Sequence, residues 1–263
     1  MGHQVALLGG IYSNHLALAA ALADIKARGI TETYCLGDLG AFGPNPDKVF
    51  GLLESGGVRT IQGNYDNSIG NGLDDCQCGY TDPRDNYFAK ISYDYTFKKT
   101  SLRHRDWMKA LPEEIRFELD GRRVLLCHGS PRQMNEFLWE STTPTHFLEK
   151  LCDDFNADII AATHTGLHWE RNLPSGRRFV NVGVLGRPAN DGTPRVWYTI
   201  LSSSTPDAAP TVEFVPITYD HQALCSEMRE EGLPEEFVRT VIDGWWTTCL
   251  EILPSKERAR GEL

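Results

Sequence analysis

The sequence lacks the features of membrane-spanning and nucleic-acid-binding proteins. No apolar stretch reaches the roughly 18 residues needed to cross a bilayer, and Met1–Gln4 does not have the layout of a signal peptide. The formal net charge is −10, from 36 acidic and 26 basic side chains, and no basic run marks a nucleic-acid or membrane surface. We therefore expect a cytoplasmic protein without either kind of partner; the sequence leaves a homo-oligomer open.

Cysteine is present, but not in the pattern of a disulfide-stapled protein. The seven cysteines are odd in number and widely spread. The chain of 263 residues is 41% hydrophobic and therefore long enough to bury a core without covalent staples. This usage predicts a reducing compartment, with free thiols or metal ligands instead of a disulfide framework.

What the sequence does contain is an alternation of apolar strands and helices. Val5–Leu8, Thr31–Leu36 and Val58–Ile61 predict strands, and apolar periodicity at about 16–29 and 46–54 predicts helices. Polar, glycine-containing loops follow each strand. This order indicates an α/β sheet with a functional site at the carboxyl edge.

The rest of the chain combines predicted helices and strands with one irregular segment. We expect a long irregular segment at 67–86, helices at about 86–98, 102–111 and 144–153, a hairpin at 115–127, strands at 158–162, 178–182, 195–201 and 211–217, and a helical tail at 219–253. The predicted organisation is one domain over residues 1–217, with a helical extension over 218–263 packed on it.

Four polar residues of metal-ligand type follow apolar runs, and these are Asp38, Asn64, His128 and His164. One aspartate of this kind could cap a turn, and one histidine is more often an ordinary core or surface residue. Four together at the edges of one sheet system are hard to explain by chance. Their oxygen and nitrogen donors suit Zn²⁺, Mn²⁺ or Fe²⁺.

The order of these motifs resembles the calcineurin-like metallophosphoesterase superfamily, in its small bacterial and archaeal branch. The matching segments are Gly37-Asp38, Gly63-Asn64, His128-Gly129, His164 and Asn181–Pro188. The resemblance covers residues 4 to about 243. It implies a two-sheet β-sandwich flanked by helices, and a metal-binding hydrolase (a phosphatase) acting on a small phosphorylated or nucleotide substrate.

The departures from the family pattern fall on one half of its site. In the family, two metals share the Gly-Asp carboxylate, and the ligands that belong to one metal alone fall here at Gly10, Tyr12 and Gly166. The family's acid histidine falls at Tyr65. The ligands of the other metal are all present. The resemblance therefore implies a degenerate site for one divalent transition metal (Mn, Fe or Zn), held by Asp38, Asn64, His128 and His164.

With a single ion, other groups must stabilise part of the charge that develops in the transition state. Arg132 and Arg187 are the nearest cations by sequence, and Tyr65 is a phenol in place of the acid histidine. We expect these three residues to be catalytic, although Tyr65 would be a poor acid at neutral pH.

Other residues could complete the metal site. Cys76 and Cys78 follow Asn64 in the long loop, and His15 and His168 lie near the lost ligands. Each could instead be an ordinary loop or surface residue. Three functions stay open on the sequence: a one-metal phosphoesterase, which we favour, a binding or regulatory protein that has lost the chemistry, and a redirected metalloenzyme that uses the two cysteines.

Overall fold

Strand β1 (His3–Leu8) shows how alternation builds the fold. Val5 and Leu7 point into one apolar cluster, whereas Ala6 and Leu8 point into another. The first cluster lies between two sheets, and the second lies beneath helices. The structure, a computed structural model, describes residues 3–203 and 210–259.

Within these described residues the chain forms ten strands and nine helices. The strands after β1 are β2 (Glu32–Cys35), β3 (Arg59–Thr60), β4 (Ile115–Leu119), β5 (Arg122–Leu126), β6 (Ile159–Ala162), β7 (His168–Asn172), β8 (Arg178–Val182), β9 (Val196–Ser203) and β10 (Thr211–Ile217). The helices are α1 (His15–Ala27), α2 (Lys48–Ser55), α3 (Asn64–Asn71), α4 (Pro83–Lys99), α5 (Leu102–Lys109), α6 (Thr145–Asp154), α7 (His221–Glu230), α8 (Glu235–Asp243) and α9 (Ser255–Arg258).

The strands form two five-stranded mixed sheets. Their orders are β10-β9-β1-β2-β3 and β4-β5-β6-β8-β7. Strands β1, β2 and β3 run parallel in the first sheet, and β5, β6 and β8 run parallel in the second. The sheets pack through alternate apolar side chains such as Leu7 and Val182. Tyr34 of the first sheet stacks on Phe117 of the second with ring centroids 4.9 Å apart. This architecture confirms the predicted two-sheet α/β sandwich flanked by helices.

One local prediction was wrong, and one strand was not predicted. The irregular segment is shorter than expected, because α3 begins at Asn64 and α4 already begins at Pro83. Asp82 caps α4 by accepting a hydrogen bond from the backbone N–H of Arg84 at 2.8 Å. Strand β7 escaped prediction because it is a polar edge strand in which only Trp169 is fully buried.

The prediction of free or metal-bound thiols was also wrong at two positions. Cys76 and Cys78 form a disulfide, with Cα atoms 5.3 Å apart. The turn between them brings the two thiols together, a local event that the odd, scattered distribution of cysteines conceals. The other five cysteines are free and buried, as expected.

The C-terminal helices pack on the body of the protein. Leu224, Phe237 and Val241 join the large apolar cluster that also contains α1 and α4 residues. Trp246 is buried in a separate cluster with Trp139. No helix in the described part of the chain is long and apolar enough to span a membrane.

One carboxylate ties α7 to the first half of the chain. Glu227 accepts hydrogen bonds from Lys48 Nζ and Asn45 Nδ2, both at 2.8 Å, and lies 3.1 Å from His15 Nε2. Burial opposes ionisation of Glu227, but these three partners outweigh it and lower its pKa to about 2. The ionised carboxylate therefore stabilises the docked helix.

We predict that Glu227→Gln lowers the free energy of unfolding by about 1–2 kcal/mol at pH 7. The Glu227 pKa is lower in the folded chain than the value of about 4.3 expected when unfolded. The stabilisation is therefore present above that value and is lost as pH falls toward about 2. Urea unfolding at several pH values measures this. Glu230→Gln, at an exposed position of the same helix, is the control. A Glu227→Gln effect that does not shrink with falling pH would contradict the assignment.

Candidate metal centre

The four predicted metal ligands lie at the carboxyl ends of four strands. Asp38 follows β2 and Asn64 follows β3 in the first sheet, whereas His128 follows β5 and His164 follows β6 in the second. All four are buried, with at most 8% of their surface exposed. The two sheets therefore bring residues that are distant in sequence to one place.

The donor atoms of these residues converge on His128. Its Nε2 lies 3.3 Å from Asp38 Oδ2, 3.1 Å from Asn64 Oδ1 and 3.3 Å from His164 Nδ1. Ligand atoms of Asp38, His128 and His164 all lie within 4.8 Å of one another. This spacing is that of side chains arranged around a common point.

A second bond fixes each of the four side chains. His128 Nδ1 donates to the carbonyl of Leu36 at 2.6 Å, which leaves its Nε2 as a lone-pair donor. His164 Nε2 lies 3.2 Å from the carbonyl of Cys78, which leaves Nδ1. Asn64 Nδ2 donates to the carbonyl of Cys76 at 2.8 Å, which leaves Oδ1.

Asp38 completes the pattern. Its Oδ1 accepts a hydrogen bond from the backbone N–H of Tyr65 at 3.1 Å, and Oδ2 faces the histidines. Outer bonds of this kind orient metal ligands and select the tautomer of each histidine. Each side chain thus points one uncommitted donor atom at the same space.

Asp66 is a supporting residue to which the sequence analysis gave no role. Its carboxylate accepts backbone hydrogen bonds from Asp38 at 2.7 Å, Gly63 at 2.9 Å and Leu39 at 3.1 Å. It therefore holds the loops that carry Asp38 and Asn64 against each other. The position of Asp66 in the segment Gly63-Asn64-Tyr65-Asp66 is the sequence feature that could have indicated this role.

The backbone around the site is close-packed and strained. Asp38 has φ 56° and His164 has φ 69°, both in the left-handed region that non-glycine residues rarely adopt. A Cβ at Gly63 would lie 2.4 Å from Asp38 Oδ1 and 2.9 Å from His128 Cε1. The glycine is needed because any side chain there would displace the ligands.

The two histidines differ in their affinity for a proton, and a metal ion would displace the proton that Asp38 favours on His128. Burial and the charge of His128 lower the pKa of His164 to about 3, so its ring is neutral. Burial lowers the pKa of His128, but the Asp38 carboxylate raises it above its usual range. Burial opposes the charge on Asp38, yet the histidines hold its pKa below the usual value. The site thus carries one ionised carboxylate.

Burial and the Asp38 charge raise the pKa of Asp66 to about 7, against the three N–H bonds that favour its charged form.

Aromatic rings occupy the space beside the positions where the family's other ligands fall. A Cβ at Gly10 would lie 2.5 Å from the ring of Tyr12. A Cβ at Gly166 would lie 2.7 Å from the ring of Trp246, which comes from the C-terminal extension. The space next to each position is filled by the chain itself.

Of the predicted catalytic residues, Arg187 reaches the site. It lines the same cavity as Asp38, Asn64, Tyr65 and His164, and it is 6% exposed. Backbone bonds from Leu185 and Gly186 to the carbonyl of Gly10, both 2.9 Å, bring its segment to this cavity.

The polar ends of Tyr65 and Arg132 bond to residues other than the four proposed ligands. The Tyr65 hydroxyl donates to Ser92 Oγ at 3.1 Å, toward α4, and burial raises its pKa well above 10. It holds Asp38 through its backbone instead. Arg132 pairs with Glu136 at the surface, lies over the ring of Phe147 and does not line the cavity.

The replacement ligands considered from the sequence also lie elsewhere or are occupied. His15 contacts Glu227, and the ring of His168 packs at 4.5 Å from Trp197. Cys76 and Cys78 lie next to the site, but their sulfurs are bonded to each other and are not available as thiolates. The redirected metalloenzyme with cysteine ligands is therefore not supported.

The donor set fits a divalent transition metal. One carboxylate oxygen, one amide oxygen and two imidazole nitrogens, that of His128 after loss of its proton, suit Mn²⁺, Fe²⁺ or Zn²⁺. Asp38, Asn64, His128 and His164 are the residues that would hold it. The carbonyl contacts of Cys76 and Cys78 make the disulfide turn part of the support around this set.

Comparisons with known proteins find relatives in sequence and in fold. An uncharacterized protein of Methanocaldococcus jannaschii, MJ0912, is 26% identical over 246 residues, which cover 88% of this chain and 94% of the relative. The hypothetical protein PH1004 from Pyrococcus horikoshii OT3 has a similar structure, with a TM-score of 0.75 and 22% identity over 93% of this chain and 99% of that one.

A metallophosphoesterase from Sphaerobacter thermophilus shares the fold with a TM-score of 0.69, at 24% identity over 93% of this chain and 100% of that one. The family model of the calcineurin-like phosphoesterase superfamily domain matches residues 4–205. This match confirms the resemblance drawn from the motifs. The chain belongs to the calcineurin-like phosphoesterase superfamily.

Proposed function

We propose that this protein is a metal-dependent phosphoesterase that hydrolyses a small phosphorylated or nucleotide substrate with one metal ion. The observation that carries the proposal is the convergence of four donor atoms, each freed by a bond at the other end of its side chain. A structural relic of the fold would have no need of this arrangement.

The chain's own residues have distinct parts in the proposed reaction. Asp38, Asn64, His128 and His164 hold the ion, which supplies Lewis-acid polarisation of a phosphoryl oxygen when bound. Asp66 keeps the two loops of the first sheet in register. Burial of the site excludes bulk water and strengthens the electrostatic interactions within it.

The single-ion count follows from which side chains are present. Tyr12 and Trp246 fill the space beside Gly10 and Gly166 with aromatic carbon. A second divalent ion there would face Asp38 without the other ligands that the family supplies. A buried ion with one shared carboxylate does not recover its lost hydration.

We predict one tightly bound transition-metal ion per chain. Elemental analysis of metal-replete, dialysed protein measures the count directly. His128→Ala removes the central donor, so we expect it to lower metal affinity by more than the ~10–100-fold typical of losing an outer-shell partner. His146→Ala, at an exposed position on α6, should leave the count at one. Two ions per chain, or an unchanged count in His128→Ala, would refute the one-metal site.

We also predict metal-stimulated release of phosphate from a panel of small phosphoesters. His164→Ala should reduce the metal-dependent rate by at least about 100-fold, because it removes a ligand that desolvation keeps neutral. The matched His146→Ala variant should keep the wild-type rate. Release that does not depend on metal, or that survives His164→Ala, would argue against the assigned chemistry.

A binding or regulatory protein without hydrolytic activity is the second candidate. The filled space at Tyr12 and Trp246 favours it, because the family's other metal would have no place there. The two candidates differ in one result. One bound metal ion with no phosphate release from any ester, together with ligand-induced thermal stabilisation, would select the binding protein.

A further inference from the structure

Arg187 is a buried cation without a counter-charge. Its side chain is 6% exposed. It enters no ion pair with a carboxylate in the described ranges 3–203 and 210–259, and its side chain contacts the carbonyl of Thr248 and the buried side chain of Cys249. Buried charges in proteins are normally paired, because an unpaired one loses its hydration without compensation. A bound anion would compensate the charge of Arg187.

The guanidinium is held rigidly by its surroundings. Its Nη2 donates to the carbonyl of Thr248 at 2.8 Å, and its Cζ lies 3.6 Å from the ring centroid of Trp246 and 5.3 Å from that of Phe42. Stacking between two aromatic rings fixes the plane of the fork. The contacts with the rings and the carbonyl leave donors of the fork uncommitted.

One of those donors is buried without a partner. Arg187 Nε has no hydrogen-bond acceptor among the described residues. A buried donor without an acceptor destabilises the folded protein unless a bound ligand accepts its hydrogen bond. Arg187 lines the cavity that Asp38, Asn64 and His164 also line. Arg187 and three of the proposed metal ligands thus border one space.

We propose that Arg187 binds the terminal phosphoryl group of a phosphomonoester substrate. This inference rests on the proposed phosphoesterase function and names the substrate class of that site. A guanidinium fork matches two phosphoryl oxygens, and charge-assisted bonds of this type are among the strongest in proteins.

The size of the cavity favours a monoester over a diester. Its volume is about 40 Å³, and a cavity needs roughly 10–15 Å³ to hold one water molecule. This space accepts one compact anion. Phe42, Thr248 and Cys249, each at most 9% exposed, line the cavity beside Arg187. A monoester needs room for a substituent on one side of its phosphorus only, whereas a diester needs it on two.

Calorimetric titration of inorganic phosphate into the full-length, metal-loaded protein tests the assignment. Arg187→Gln should weaken phosphate binding at least about tenfold, the effect of losing a charged hydrogen-bonding partner. Arg187→Lys, which keeps the charge but loses the fork, should weaken it less. Arg195→Gln is the matched control, because Arg195 also lies over a tryptophan ring but is exposed and outside the cavity. It should bind as wild type.

Two further readings keep the inference falsifiable. If Arg187→Gln does not fold, the Nε–Hε resonance of Arg187 in the wild-type protein, assigned by its absence from Arg187→Lys, should shift during phosphate titration; an unmoved resonance overturns the proposal. Dimethyl phosphate, a diester probe, should bind at least about tenfold more weakly than phosphate. Equal binding of the two probes overturns the monoester assignment.

The failures of the two proposals can be told apart. Phosphate binding that is unchanged in Arg187→Gln overturns this inference, and metal-dependent ester hydrolysis by the same preparation would still uphold the phosphoesterase. Binding that depends on Arg187 in a protein that holds no metal and cleaves no ester supports the anion site and overturns the phosphoesterase.

Discussion

The bond from His128 Nδ1 to the carbonyl of Leu36, 2.6 Å long, joins the carboxyl edges of the two sheets. Leu36 directly follows β2 of the first sheet, and His128 follows β5 of the second. This one contact fixes the imidazole so that its other nitrogen faces Asp38, Asn64 and His164 together. The sandwich architecture matters for function because neither sheet alone carries a complete set of donors. The backbone at Asp38 and His164 has positive φ, which these residues rarely adopt. The contacts of the site, and not the local conformational preferences of the loops, therefore hold them in place.

The disulfide turn and the C-terminal extension give the site features of its own. The carbonyls of Cys76 and Cys78 contact Asn64 and His164, so a short loop orients one ligand from each sheet. Trp246 fills the space beside Gly166 and stacks on Arg187. The family model matches residues 4–205. Trp246, which lies outside that range, thus shapes the interior of the site. The rings of Tyr12 and Trp246 lie beside Gly10 and Gly166, the positions where the family pattern has further metal ligands.

Much of this could be predicted from the sequence, because the signals are local and periodic. Apolar strands that end in Gly-Asp, Gly-Asn, His-Gly and Thr-His indicated both the sheet edge and the candidate ligands. The roles of Tyr65, Arg132 and Asp66 could not be predicted, because they depend on which way a side chain points after folding. Tyr65 turns its hydroxyl to α4, and Arg132 finds Glu136 four residues away. The pairing of Cys76 with Cys78 depends on a turn that produces no hydrophobic periodicity in the sequence.

The central claim is that the fold retains one metal position and has filled the space of the other with its own side chains. An anomalous-difference map from crystals of the Mn²⁺-loaded protein tests this claim most directly. The account predicts one strong peak, within coordinating distance of Asp38 Oδ2, Asn64 Oδ1, His128 Nε2 and His164 Nδ1. A second peak of similar height between Asp38 and the rings of Tyr12 and Trp246 would contradict it.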